Sequence, residues 1–132
     1  MNKGNAMPYV YAEAESLEKL PAAGTKQCVA LVKQYAGAPA SSLWREGAPV
    51  RENRTLRKGT AIATFENGRY PNHAHGNHAA LYISQDCCGI VVIDQWSSSG
   101  TIRKRRLPFP GKDKNGNFIT PSNNGDAFAV VE

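Results

Sequence analysis

Asn77-His78-Ala79-Ala80-Leu81-Tyr82-Ile83-Ser84 and Ile90-Val91-Val92-Ile93-Asp94-Gln95-Trp96 are two apolar runs separated by Gln85-Asp86-Cys87-Cys88-Gly89. Both runs are short, rich in β-branched and aromatic residues, and divided by turn-forming residues, which predicts an antiparallel hairpin. Along the first strand His78, Ala80, Tyr82 and Ser84 share one face. If Ser84 pairs with Gly89, His78 lies opposite Gln95; if Ile83 pairs with Gly89, it lies opposite Asp94. A carboxylate orients an imidazole and stabilises its protonated form, so chemistry favours Asp94. The register itself stays open at this level.

Upstream of the hairpin the pattern is helical. Glu13 to Leu20 reads as a short helix, with Ala14, Leu17 and Leu20 on one side and Pro21-Ala22-Ala23-Gly24 ending it. Thr25 then reads as the N-cap of a second helix. Within that helix Cys28, Leu31, Val32 and Tyr35 recur at i, i+3, i+4 and i+7, so they share a buried face. Gly37 and Pro39 close it. Residues 43–57 read as a polar loop anchored by Trp44. Thr60 to Phe65 is a strand candidate, as are Thr101 to Leu107 and Asp126 to Glu132. Helices followed by strands predict an α+β fold, with N-terminal helices packed on an antiparallel sheet.

The chain has 132 residues, 41% hydrophobic and 20% charged, which is one globular domain spanning residues 1–132. Its net charge is +5, concentrated in Arg103-Lys104-Arg105-Arg106. That run reads either as a charged edge strand or as a surface for an acidic partner. No recognition helix or aromatic RNA-binding strand accompanies it, so nucleic acid is not an expected partner. No stretch approaches the roughly 18 apolar residues of a membrane span. Met1-Asn2-Lys3-Gly4-Asn5-Ala6-Met7 is polar and lacks a signal-peptide core, so export by another machine is the expectation.

Cys28 at a helix start, His78 on a strand and Asp94 on the next strand are the parts of a cysteine hydrolase. Unpaired N–H groups of a first helical turn favour a thiolate. A histidine can take the thiol proton and return it to a leaving amine. The Cys28 N–H and the Gln27 side chain are candidates for an oxyanion hole. Gln95 and His75 are further candidates for contact with substrate, and His73 and His75 read as the rim of a cleft. Cys87 and Cys88, with the histidines, offer zinc-type ligands but at no familiar spacing, so neither metal nor cofactor is expected. The competing readings are a small hydrophobic cysteine in a core and a non-catalytic basic module that binds cell wall.

Gln27-Cys28 opening a helix, Asn77-His78-Ala79-Ala80-Leu81-Tyr82-Ile83 and Val92-Ile93-Asp94-Gln95-Trp96 resemble the NlpC/P60 and CHAP papain-like peptidoglycan amidases. Over residues 20–132, including Asn123-Asn124-Gly125-Asp126-Ala127-Phe128, the chain resembles the small type VI secretion amidase effectors, their third family in particular. Asn77 stands where many relatives have glycine. The resemblance implies Cys28 as nucleophile, His78 as general base and Asp94 as the orienting acid. It implies hydrolysis of a peptide-stem amide in Gram-negative wall, for the third family the cross-link between meso-diaminopimelate and D-alanine. Its implied partners are the peptide stems, the secretion apparatus and a periplasmic immunity protein that plugs the cleft; the protein would be a monomer acting in the target periplasm. A housekeeping or phage wall hydrolase of the same fold is the alternative.

Overall fold

The computed structural model describes residues 8–71, 73–74 and 76–132. Its α-helix, α1 (Cys28–Ala36), packs on an antiparallel sheet of β1 (Glu46–Pro49), β2 (Ala61–Thr64), β3 (Ala79–Asp86), β4 (Gly89–Asp94), β5 (Arg103–Pro108) and β6 (Phe128–Val131). The order across the sheet is β1-β6-β2-β3-β4-β5. The fold is therefore α+β, as the order of helical and strand patterns implies.

Two apolar layers hold the sheet. On one face Leu31 and Val32 of α1 meet Ala79, Leu81 and Ile93. On the other, Ile62, Ala80, Tyr82, Val92, Leu107 and Phe128 form a second cluster. β3 is consequently buried on both sides from Ala79 to Ile83. Each fully buried Leu or Ile there contributes on the order of 1.5–3 kcal/mol. Gly37, with φ 74, ends α1 in the left-handed conformation that glycine adopts without strain.

Several boundaries differ from the sequence pattern. The expected helix over Glu13–Leu20 is one 3-10 turn, Ala14–Leu17, because Lys19 turns to φ 76 before Pro21. Thr25 is not the cap of α1. Lys26 takes φ 73, and the extended residue before the helix is Gln27, whose side chain makes no capping bond. The polar stretch after Trp44 contains β1, a Gly- and Pro-bearing strand of low β propensity paired with β6. Trp44 itself is fully buried, and its Nε1 donates to the Pro39 carbonyl at 2.9 Å.

The central hairpin takes neither of the two registers considered. Its turn is only Cys87-Cys88, with Asp86 opposite Gly89. Neither cysteine has positive φ, so the tight primed turn usual for such hairpins is absent. Instead the Asp86 carboxylate accepts the Cys88 N–H at 2.8 Å. Beyond the turn a bulge at Ile83 changes the phase: Ser84 pairs with Val91, but Tyr82 pairs with Val92 and Leu81 with Ile93. Continuing that offset sets Asp94 opposite Ala80, diagonal to His78.

Candidate active site

The site begins with how Cys28 is presented. It is the first residue of α1, at the end where backbone N–H groups lack intrahelical partners. The loop that delivers it is clamped from the end of β4. The buried Gln95 amide accepts the Ala23 N–H at 2.7 Å and donates to the carbonyls of Ala23 at 3.0 Å and Gln27 at 2.8 Å. Gln95 was expected to touch substrate or hold an oxyanion. Its polar atoms are instead engaged with the backbone ahead of Cys28, which makes it a positioning residue.

His78 stands one residue before β3, at the margin of the sheet. Its N–H donates to the Thr64 hydroxyl at 3.0 Å and its carbonyl accepts the Thr64 N–H at 3.0 Å. The ring packs edge-on to Phe128 with centroids 6.3 Å apart. Nε2 lies 2.8 Å from Asp94 Oδ2, and the ring lines the same cleft as Cys28. With Nε2 committed to Asp94, Nδ1 is the atom left for sulfur. Asp94 is fully buried and lies diagonally across the hairpin, so the carboxylate, not Gln95, orients the imidazole.

Two residues unseen by sequence reasoning complete the cluster. Arg105 on β5 grips Asp94, its Nη2 2.5 Å and its Nε 3.0 Å from Oδ2. The Tyr70 hydroxyl lies 3.6 Å from the Cys28 sulfur and receives a hydrogen bond from Asn77 Nδ2 at 3.0 Å. That bond occupies the tyrosine as acceptor and leaves its own proton for sulfur. Trp44 pins the ring edge-on at 5.1 Å. Tyr70-Pro71 reads in sequence only as a turn, and no periodicity marks residues outside regular elements. Arg105 was visible only as one of four basic neighbours.

The charges follow from this geometry. Burial pushes the Cys28 thiol up, but the hydrogen bond and charge of His78, the Tyr70 hydroxyl and the Ala79 N–H outweigh it, so the thiol is held below its ordinary range. Burial opposes protonation of His78, yet Asp94 and Cys28 raise it to about 9. Burial likewise opposes ionisation of Asp94, but His78 and Arg105 keep it below the usual carboxylate range. Tyr70 is pushed up by burial and by the Cys28 charge, so it stays a donor at neutral pH. The site thus favours a thiolate beside an imidazolium, with a carboxylate and an arginine bracing the ring.

Gln27, Cys28, Tyr70, Asn77, His78 and Trp96 line a cleft of about 410 Å³. Gln27 is exposed on its wall, next to Cys28 in sequence. His75 and the N-terminal residues 1–7 lie outside the described residues. His73 lines the cleft and lies 3.2 Å from Glu66. Among the described residues the group with metal-ligand geometry is Asp86, Cys87 and Cys88, at the exposed turn. The basic run is largely paired internally: Lys104 with Glu15, Arg105 with Asp94 and Arg106 with Asp86. It forms the edge strand β5, in keeping with the charged-edge reading.

The class this defines is an α+β protein with a cysteine–histidine–carboxylate cluster at the junction of helix and sheet. Within that class the chain belongs to the domesticated amidase effector 2 family, whose model matches residues 10–131. A type VI secretion amidase effector 2 protein of Salmonella typhi is 43% identical over 133 residues, covering 96% of this chain and all of that one (100%). Domesticated amidase effector 2 of Ixodes scapularis is 36% identical over 111 residues, covering 81% of this chain and 71% of the relative. The solved structure of a type 6 secretion amidase effector 2 superimposes with TM-score 0.88 at 41% identity, covering 96% of this chain and 95% of that one. The resemblance to type VI secretion amidase effectors holds; the matched names carry the number two, and none of them names the third family.

Proposed function

We infer that the chain is a cysteine amidase that cuts a peptide-stem amide of Gram-negative peptidoglycan as a type VI secretion effector. The observation that carries the chemistry is the Cys28–His78–Asp94 relay at the mouth of the cleft. The names of the relatives support amide hydrolysis and the delivery route, and the resemblance to the peptidoglycan amidases supports the substrate.

The Cys28 thiolate attacks the amide carbonyl and forms a tetrahedral intermediate. The Cys28 N–H and Gln27 meet the oxyanion, while Tyr70 holds the sulfur. Imidazolium His78 gives its proton to the leaving amine, and the thioester forms. Water, deprotonated by neutral His78, then releases the acid product and restores the pair. Asp94 keeps the ring in one orientation throughout, with Arg105 holding the carboxylate.

We assign to the chain the cross-link between meso-diaminopimelate and D-alanine, the bond that the resemblance to the third family of these effectors implies. Delivery is by the secretion apparatus into the target periplasm, and a cognate immunity protein occludes the cleft. Purified sacculi provide the test. Wild type releases soluble muropeptides whose masses identify the cut bond, and Cys28→Ala releases none while keeping its fold. Full activity in Cys28→Ala would end this reading.

A further inference from the structure

We propose that Arg103 and Trp96 form a subsite for a substrate carboxylate, the one carried by diaminopimelate beside the scissile amide. The inference rests on the amidase reading above and assigns the recognition that goes with it.

Of the four consecutive basic residues on β5, three are taken up by acids of the protein itself. Arg103 has no ion pair and no side-chain hydrogen bond among the described residues. It is not loose, however. Its guanidinium lies 5.7 Å from the centroid of the Trp96 ring, and that of Arg105 lies 4.8 Å from the same ring. Trp96 follows directly on Asp94-Gln95, the pair that braces His78 and the Cys28 loop. Its indole lines the cleft with Cys28 and His78, and also an adjoining hollow of about 350 Å³ with His78, Arg105 and Asn123.

Arg103 lines neither hollow, but the indole that lines both also meets its free guanidinium. The neighbouring Arg105 charge is spent on Asp94, which leaves Arg103 as the unpaired cation on this ring. A planar guanidinium held on an aromatic face suits bidentate binding of a carboxylate. In the proposed cross-link, the carbon bearing the amide nitrogen also bears a carboxylate. That anion enters with the scissile bond, where it meets Arg103 while the carbonyl meets Cys28.

The test uses cross-linked muropeptide dimers with that carboxyl free, and the same dimers with it amidated. For wild type, amidation is expected to raise KM roughly three- to tenfold. Arg103→Gln is expected to raise KM on the free acid by the same factor, leave kcat unchanged, and become indifferent to amidation. Alkylation of Cys28 by iodoacetamide should proceed at the wild-type rate in this variant. An Arg103→Gln enzyme that still discriminates the two dimers, or whose KM matches wild type, overturns the subsite. Failure of the underlying reading looks different: wild type then cleaves neither dimer, or Cys28→Ala cleaves both.

Discussion

Replacing Asp94 by asparagine keeps the shape of the side chain and removes its charge. In the native site His78 is raised from its ordinary value near 6.5 to about 9, with the Asp94 hydrogen bond the largest contribution on the favourable side. A raise of that size corresponds to about 3 kcal/mol of preference for the imidazolium. Without the carboxylate only Cys28 opposes the effect of burial, and His78 in Asp94→Asn should titrate on the order of one to two pH units lower. The thiol then loses its cationic neighbour, and Cys28 should need higher pH to ionise. Iodoacetamide alkylation at pH 7 should slow on the order of 100-fold.

The pH dependence of stability has a definite sign. His78 is raised in the folded state, so its contribution is fully present below about pH 6.5 and fades as pH climbs through about 9. Cys28 is lowered, so its ionisation acts with the opposite sign over part of the same window. The two are separated in a Cys28→Ala background, where the raise supplied by Asp94 remains and stability should fall as pH climbs above 6.5, by less than the about 3 kcal/mol of the intact site. Adding Asp94→Asn should flatten that slope. The imidazole signals followed by NMR give the titration directly. A His78 that still titrates near 9 in Asp94→Asn would refute the assignment of the carboxylate as its electrostatic support.

Two further outcomes follow from the same site. Tyr70→Phe removes the hydroxyl that donates to sulfur, so the acid limb of Cys28 alkylation should move up by about half to one pH unit, with the fold unchanged. Gln95→Leu removes three hydrogen bonds and leaves the Ala23 N–H without a partner, while the Ala23 and Gln27 carbonyls keep those from Lys26 and Ala30. Urea unfolding should show a loss of about 3 kcal/mol, with slower Cys28 alkylation because the loop ahead of α1 is released.

The sequence pattern was most legible where burial imposes a period. Leu31 and Val32 marked the buried face of α1, and the apolar runs around Ala79–Ile83 and Ile90–Ile93 marked the hairpin. Cys28, His78 and Asp94 were legible because each sits at the end of such an element. What escaped was long-range geometry. The bulge at Ile83 has no signature in its own residues, so neither continuous register could anticipate the diagonal pairing of His78 with Asp94. Gln95 and Asp94 are neighbours of similar polarity, and only the direction each faces separates clamp from relay. Tyr70 lies in a loop, and its role depends on Trp44 and Asn77, which are distant in sequence or unremarkable in pattern.

The same bulge divides the hairpin into two mechanically separate halves. Between Ile83 and the Cys87-Cys88 turn the strands keep one phase, and toward the cleft they keep another. A peptide graft or reporter label placed at the turn can reset the outer half while the inner half stays locked by its own two buried faces. The exposed tip is thus a handle on the molecule at the end opposite its chemistry. It offers a place to lengthen the chain, attach a fluorophore or tether the protein to a surface while the relay stays in register.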